Sequence, residues 1–326
     1  MKPLVLSVVV PCFNERETLP ELHRRVSDVC RACVGRSYEL VLVNDGSTDG
    51  TWDLLAALAA RDPHVVAVNL SRNHGHQLAL SAGLQLCRAD RVFILDCDLQ
   101  DPPELLDQMM ARMDEGCDVV YGQRTRREGE TAFKKASAHL FYRLLGRLAD
   151  VDIPQDTGDF RLMSRRAVDL LNAMPEQHRF IRGMVSWIGL RQEALPYERA
   201  ARFAGETKYP IAKMLRFATD AITGFSIRPL RIATWLGLSF SLASLLMMAY
   251  VLAAYLIGHT VSGWTSLTLI ILLVSAVQFI LMGVLGEYVG RLYVEAKKRP
   301  LFIVQEVIAS PELNAAPKLT AVEARQ

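Results

Sequence analysis

The chain reads as an α/β protein with a mostly parallel sheet, joined to a membrane anchor. Three observations predict this. Apolar, β-branched runs alternate with segments of helical spacing through the first part of the chain. Several of those runs end in polar or acidic residues. The 55 residues between Arg231 and Glu287 contain no Asp, Glu, Lys or Arg. All 72 formal charges therefore fall on the other 271 of the 326 residues. The balance of 37 Lys+Arg against 35 Asp+Glu, with a pI near 8.2, gives no bulk attraction to nucleic acid. A hydrophobic content of 51% excludes a disordered chain.

Each element follows in order from local pattern. Leu6 to Val10 is a β-branched run and predicts the first strand, and Glu17 to Val34 has helical spacing. Tyr38 to Val43 predicts a second strand that closes in the turn Asn44-Asp45-Gly46-Ser47. Thr51 to Ala60 is helical, Val65 to Leu70 a third strand, and Gln77 to Leu86 a helix rich in Ala and Leu. Arg91 to Leu95 predicts a fourth strand ending in Asp96-Cys97-Asp98. Pro102 and Pro103 suit the first turn of the next helix, and Asp118 to Tyr121 is a fifth strand. Apolar strands separated by helices predict a parallel sheet covered on both faces, with ligands beyond the carboxyl ends of the strands.

Beyond Tyr121 the character changes. Arg124, Arg126, Arg127, Lys134 and Lys135 form a basic stretch leading into a helix that ends near Ala149. Asp156-Thr157-Gly158-Asp159-Phe160-Arg161 predicts a glycine turn between charged residues. Arg165 to Ala173 is helical, Phe180 to Leu190 is apolar with Arg182 inside it, and Glu193 to Tyr197 predicts a strand. That strand leads to Arg202-Phe203-Ala204-Gly205-Glu206-Thr207-Lys208-Tyr209.

Pro210 opens an amphipathic helix, and residues Arg199 to Arg231 carry seven basic and two acidic side chains. Such a segment before an apolar span is suited to an anionic membrane surface. Ile232 to Ile257 and Trp264 to Gly286 are each long enough to cross the hydrocarbon layer as a helix. Arg228 and Arg231 before the first span, and Arg291, Lys297, Lys298 and Arg299 after the second, place both ends in the cytoplasm by the positive-inside bias. The division expected is 1–209 catalytic, 210–230 juxtamembrane, 231–290 hairpin and 291–326 cytoplasmic tail. Six cysteines, with Cys30-x-x-Cys33 lacking a second pair at zinc spacing, predict reduced thiols in a core.

The chemistry centres on Asp96-x-Asp98. In an extended backbone, residues i and i+2 face the same way. Two carboxylates with Gln100 one step further offer oxygen donors to a hard cation such as Mg²⁺ or Mn²⁺, with phosphate and water completing the shell. Asp45 and Glu15 end neighbouring strands at the same edge. Arg124, Lys134, Lys135, Arg202 and Lys208 come from loops expected to return there, and they suit phosphate oxygens.

At this point the residues resemble a family. Val8-Val9-Val10-Pro11-Cys12-Phe13-Asn14-Glu15, Val43-Asn44-Asp45-Gly46-Ser47-Thr48-Asp49 and Leu95-Asp96-Cys97-Asp98-Leu99-Gln100-Asp101-Pro102-Pro103-Glu104 together resemble family 2 glycosyltransferases of the GT-A fold. The segments from Asp156 to Met163 and from Phe203 to Tyr209 look like the polyprenyl-phosphate branch, which includes bactoprenol glucosyltransferases and dolichol-phosphate mannose synthases.

The resemblance implies an inverting hexosyltransferase using a UDP-sugar, with glucose favoured, and a polyprenyl acceptor such as undecaprenyl phosphate. N-acetylhexosamine, mannose and a modified arabinose stay open, as does a non-catalytic nucleotide-sugar scaffold. It implies Pro11, Phe13, Glu15, Val43, Asp45, Asp96, Cys97 and Asp98 around the nucleotide sugar. Asp96, Asp98 and Gln100 would hold the metal. Arg124, Lys134, Lys135, Arg202 and Lys208 would bind phosphate, and Asp98 and Asp159 would be catalytic. Cys97 stands where relatives often have a small residue, which predicts a donor site open to thiol reagents. The Q-x-x-R-W motif of processive synthases has no match in Gln177-His178-Arg179-Phe180. The family also implies a bacterial inner-membrane location, membrane-lipid contact and a homo-oligomer, a tetramer among the forms it allows.

Overall fold

The computed structural model describes residues 4–125, 154, 157–198, 228–257 and 263–310. They fall into two compact units. The larger unit holds a sheet with helices, and the smaller one holds two long apolar helices.

In the larger unit the strands are β1 (Leu6–Cys12), β2 (Tyr38–Asn44), β3 (Val65–Leu70), β4 (Arg91–Ile94), β5 (Val119–Arg124), β6 (Thr157–Ser164), β7 (Gln192–Tyr197) and β8 (Val304–Ala309). Their order across one eight-stranded sheet is β7-β5-β6-β4-β1-β2-β3-β8. The core strands β3-β2-β1-β4 are parallel, and β5 pairs β7 in parallel. Two strands run against the rest: β6, between β4 and β5, and β8, on the edge of β3.

The predicted parallel α/β architecture holds, with two differences. The expected glycine turn at Thr157–Arg161 is instead the start of β6. The alternation of Thr157, Asp159 and Arg161 with Gly158, Phe160 and Leu162 sends two sets of side chains to opposite faces, so local polarity gives way to sheet pairing. The expected tail beyond residue 291 contains β8, whose Val307 and Ile308 pair with Val68 and Ala67.

Helices cover both faces. Leu19, Leu22, Val26 and Cys30 of α1 (Leu19–Val34), Leu55 and Ala59 of α2 (Thr51–Arg61) and Leu106, Met109 and Met113 of α4 (Leu106–Asp114) share one core with Val8, Val10, Leu40, Leu42 and Phe160. The other face meets α3 (His76–Leu86), which lies so close that a Cβ on Gly83 would stand 2.3 Å from Val9 Cγ1. The helices α5 (Arg165–Ala173) and α6 (Ile181–Ile188) follow β6. The Ser164 hydroxyl caps α5 by accepting from the Ala167 amide.

At the amino end of the strands, Glu39 is fully buried and fully partnered. It accepts from Ser7 Oγ at 2.6 Å and from the Arg88 amide at 2.8 Å, and it pairs with the Arg88 guanidinium. A buried carboxylate needs that degree of compensation.

The smaller unit contains α7 (Arg228–Leu256) and α8 (Trp264–Ala296), helices over the expected stretches 232–257 and 264–286, with α8 continuing ten residues beyond the second. Each includes a stretch apolar and long enough to cross a bilayer, and none of either stretch is buried within the protein. Large apolar side chains such as Trp235, Leu246, Phe279 and Ile280 are exposed along them. A soluble protein rarely exposes so much contiguous apolar surface.

Candidate active site

The carboxyl ends of β1, β2, β3 and β4 open onto one edge, and the loops after β1, β2 and β3 meet there. Asn14 and Ser47 tie two of them: Ser47 Oγ accepts from the Asn14 amide at 3.0 Å, and Asn14 Oδ1 accepts from the Thr48 amide at 2.9 Å. Gly46, at φ +66°, allows the second loop to approach the third so closely that a Cβ would lie 2.5 Å from the Asn73 nitrogen. Asp45 is buried beneath them. Its carboxylate accepts from the amides of His74 (2.7 Å) and Gly75 (2.9 Å), holding the turn that opens α3.

Past the end of β4, Asp96 and Cys97 have different surroundings, and Cys97 lies in the turn that follows. Cys97 enters the core, with Sγ 4.0 Å from Cys12 Sγ and 3.6 Å from Thr18 Oγ1. The cysteine expected beside the donor is thus a core residue, packed against Cys12 and Thr18. Its contact with the Cys12 thiol and its burial raise its pKa. Val43 is corrected likewise. Its side chain is fully buried and reaches the position of Gly83 on α3.

Asp96 stays at the edge, its side chain 27% exposed. Its Oδ1 is buried with no hydrogen-bond partner among the described residues. Burial raises its pKa to about 6; the positive charge of His76 opposes this, and the charges of Asp159, Asp101 and Asp98 add to it. Asp98 Oδ1 accepts from the Gln100 amide at 3.1 Å across a turn in which Leu99 takes φ +57°. Among the described residues no three His, Cys, Asp or Glu side chains form a metal cage by themselves. An unpartnered carboxylate oxygen and crowded negative charge fit a hard cation that draws its remaining ligands from substrate and water.

Beside Asp96 lies a cluster that the sequence reading did not assemble. In β6 the residue Arg161 faces Ile94, so Asp159, two residues earlier in an antiparallel strand, falls just past the end of β4. The Asp159 carboxylate accepts from Gln77 Nε2 at 2.8 Å and meets His76 Nε2 at 3.2 Å. Arg161 and Arg182 stand 3.7 and 3.8 Å from it. His76 Nε2 is also 3.6 Å from Asp96. Burial opposes ionisation of Asp159, yet Arg182, His76 and Arg161 together hold its pKa well below the usual range. Burial also opposes the charge of His76, but the hydrogen bond to Asp159 and the charges of Asp96 and Asp159 raise it to about 9.

On the other side Arg124 reaches Asp101, which is 1% exposed, at 3.4 Å and the Tyr197 hydroxyl at 3.2 Å, while Tyr197 donates to Asp101 in turn. A Cβ on Gly158 would lie 2.7 Å from Arg124 Nη2, so glycine there leaves room for the guanidinium.

The ring of Phe13 stands beyond β1, 48% exposed. Pro11 pairs with Val43 in the sheet. The Glu15 carboxylate accepts from Thr18 Oγ1 at 2.7 Å. Lys134, Lys135, Arg202, Lys208 and the amphipathic segment 210–227 lie outside the described residues. Sequence reasoning missed Asp101, Tyr197, His76, Gln77 and Arg182 as site residues. For His76 and Gln77 the available signal was their place in the first turn of a helix opened by Gly75, at the carboxyl edge of β3.

Residues 7–171 match the family described as glycosyl transferase family 2, and residues 228–292 match the one described as the GtrB C-terminal hairpin. The uncharacterized glycosyltransferase YkcC of Bacillus subtilis is 46% identical over 92% of this chain and 93% of its own length. The prophage bactoprenol glucosyl transferase homolog of Escherichia coli is 39% identical over 93% of this chain and 99% of its own. The SfII prophage-derived bactoprenol glucosyl transferase of Shigella flexneri is 38% identical over 92% and 97%.

Proposed function

The chain belongs to glycosyl transferase family 2, and on that premise we propose that it transfers glucose from UDP-glucose to a polyprenyl phosphate such as undecaprenyl phosphate. The observation that carries this reading is Asp96 beside Asp98, a pair of edge carboxylates with an unpartnered oxygen, next to a basic cluster on Asp159. Relatives named as bactoprenol glucosyl transferases, aligned over nearly their whole length, support the lipid acceptor and the sugar.

In the transfer, an oxygen of the acceptor phosphate attacks the anomeric carbon from the side opposite the nucleotide. The bond from that carbon to the diphosphate breaks, its electron pair leaves with UDP, and the configuration inverts. Asp96, Asp98 and Gln100 would hold Mg²⁺ or Mn²⁺, which supplies positive charge against the leaving diphosphate. A phosphate monoester is largely ionised near neutrality, so the attack needs no proton acceptor. Asp159 suits that chemistry poorly as a base, because three cationic side chains favour its ionised form. Its part is to orient His76, Arg161 and Arg182. Arg124, fixed by Asp101 and Tyr197, presents positive charge at the same edge. Catalysis then rests on holding two anions together in the right geometry.

The two apolar helices hold this chemistry at the bilayer, where the lipid phosphate lies. The chain leaves the sheet unit after β7 and returns to it as β8, which supports both ends on one side of the membrane with the 258–262 connection on the other. The positive flanks favour the cytoplasm of a bacterial inner membrane for those ends. The test is the purified full chain with undecaprenyl phosphate and a panel of UDP- and GDP-sugars. Glucose appears in the lipid fraction, transfer stops with EDTA, and Mg²⁺ or Mn²⁺ restores it. Absence of a lipid-linked sugar from every donor overturns the reading.

A further inference from the structure

We infer that Arg182, at the second residue of α6, binds the phosphate of the acceptor, a phosphate monoester on an apolar tail; this rests on the lipid-phosphate reading above. Around the buried Asp159 stand two guanidiniums and an imidazole, and the imidazole also faces Asp96 at 3.6 Å, so three cationic side chains meet two carboxylates. Arg161 is 3% exposed and spends Nη2 on the Gly158 carbonyl at 3.0 Å, so it lies beneath the surface of the site. Arg182, with its side chain 22% exposed, is the guanidinium that solvent and ligand reach.

The contacts inside this cluster are incomplete. Asp159 Oδ1, Arg161 Nε and Arg182 Nε are all buried without a hydrogen-bond partner among the described residues. The guanidiniums stand 3.7 and 3.8 Å from the carboxylate, beyond hydrogen-bond reach. Donors left in this state are unused hydrogen-bonding capacity in the cluster. The donors are in excess, so a group that uses them is an acceptor of hydrogen bonds, and a planar guanidinium fork matches a phosphate.

Arg182 is also positioned through its neighbour Ile181. Gln77, in the first turn of α3, donates Nε2 to Asp159 at 2.8 Å while its Oε1 accepts from the Ile181 amide at 2.8 Å. One side chain thus fixes the residue before Arg182 to the carboxylate that Arg182 faces. Gln77 acts as a positioning residue, and the arginine is preorganised before ligand arrives. A donor diphosphate and an acceptor phosphate share this chemistry. The acceptor is favoured because Asp96 and Asp98 already offer the donor a cation site, while Asp159 and its arginines flank it.

The experiment compares binding of farnesyl phosphate, farnesol and UDP to the full chain in detergent by calorimetry, for wild type, R182Q, R182K and the exposed control R166Q. In wild type the phosphate tightens binding over farnesol. R182Q loses that preference by about tenfold or more, as expected for a charge-assisted contact, with UDP affinity within about twofold. R182K keeps part of it, which a purely structural role would not produce, and R166Q keeps all of it. A preference retained in R182Q overturns the inference and leaves the lipid-phosphate reading standing. A loss confined to UDP overturns it too and assigns Arg182 to the donor. A wild-type chain that does not distinguish farnesyl phosphate from farnesol overturns the reading itself, and the inference with it.

Discussion

Asp96 and Glu39 are carboxylates at opposite ends of the same sheet. Glu39 is wrapped by Ser7 and Arg88 and is structural, whereas Asp96 keeps an oxygen with no hydrogen-bond partner among the described residues, 3.6 Å from His76. That contrast separates a carboxylate whose hydrogen bonds are all made from one with capacity left over, as the proposed cation site requires. Replacing Asp98 with Asn lowers turnover about 100-fold or more, since one charge is lost from the proposed cation site. Its thermal midpoint does not fall, because the change relieves like-charge crowding, and steady-state rates with a melting curve check both parts. Asp159→Asn removes a buried charge that faces two arginines and a histidine, and it costs about 3 kcal/mol. The folded state depresses the Asp159 pKa below its ordinary 3.8. Its stabilisation is therefore present above that value and is lost as pH falls through the folded value. The gap in melting temperature between wild type and D159N is widest near neutrality and narrows in acid, which a pH series of melts measures. Residue identity alone pointed to Asp96 and Asp98. It did not reveal that Cys97 turns into the core, or that Gln77 bridges two elements 104 residues apart in sequence.

Two elements carry consequences of their own. The strand β8 covers the outer edge of β3, and removing residues 301–326 leaves that edge unpaired beside Val66, Val68 and Leu70. Open edges invite pairing between chains. The truncated protein melts at a lower temperature and elutes as larger species on size exclusion. Helix α3 packs onto β1 and β2 through Gly83, where a methyl group would meet Val9 Cγ1 at 2.3 Å and Val43 Cγ2 at 3.2 Å. Gly83→Ala costs about 1–3 kcal/mol through overpacking, measured by denaturant unfolding of the full chain. Strands β1 to β4 and helices α1 to α3 were legible because each repeats a period of its own, apolar runs for buried strands and helical spacing between them. Strands β6 and β8 were not. Thr157-Gly158-Asp159 looks like a turn until β4 and β5 flank it, and an edge strand of mixed polarity has no period to read.

At the scale of the molecule, a sheet unit and an apolar helical pair are sewn together by a chain that leaves the sheet and comes back to it. Under the proposed topology, a G263C variant in intact cells reacts with a membrane-impermeant maleimide from outside, and lysis adds no more signal than it adds to wild type. All six native cysteines but Cys33 are buried, which keeps the background low.

By itself the sequence determined the class of the sheet, the two long apolar helices and the acidic pair, because these depend on composition and spacing along short stretches. Tertiary structure alone decided which side chains meet. It brought β6 in backwards so that Asp159 reaches the end of β4, set α6 so that Arg182 faces that carboxylate, and buried Cys97 and Val43. The physical reason is that such contacts join residues scores of positions apart, and hydrogen-bond geometry across a sheet leaves no local period in the chain.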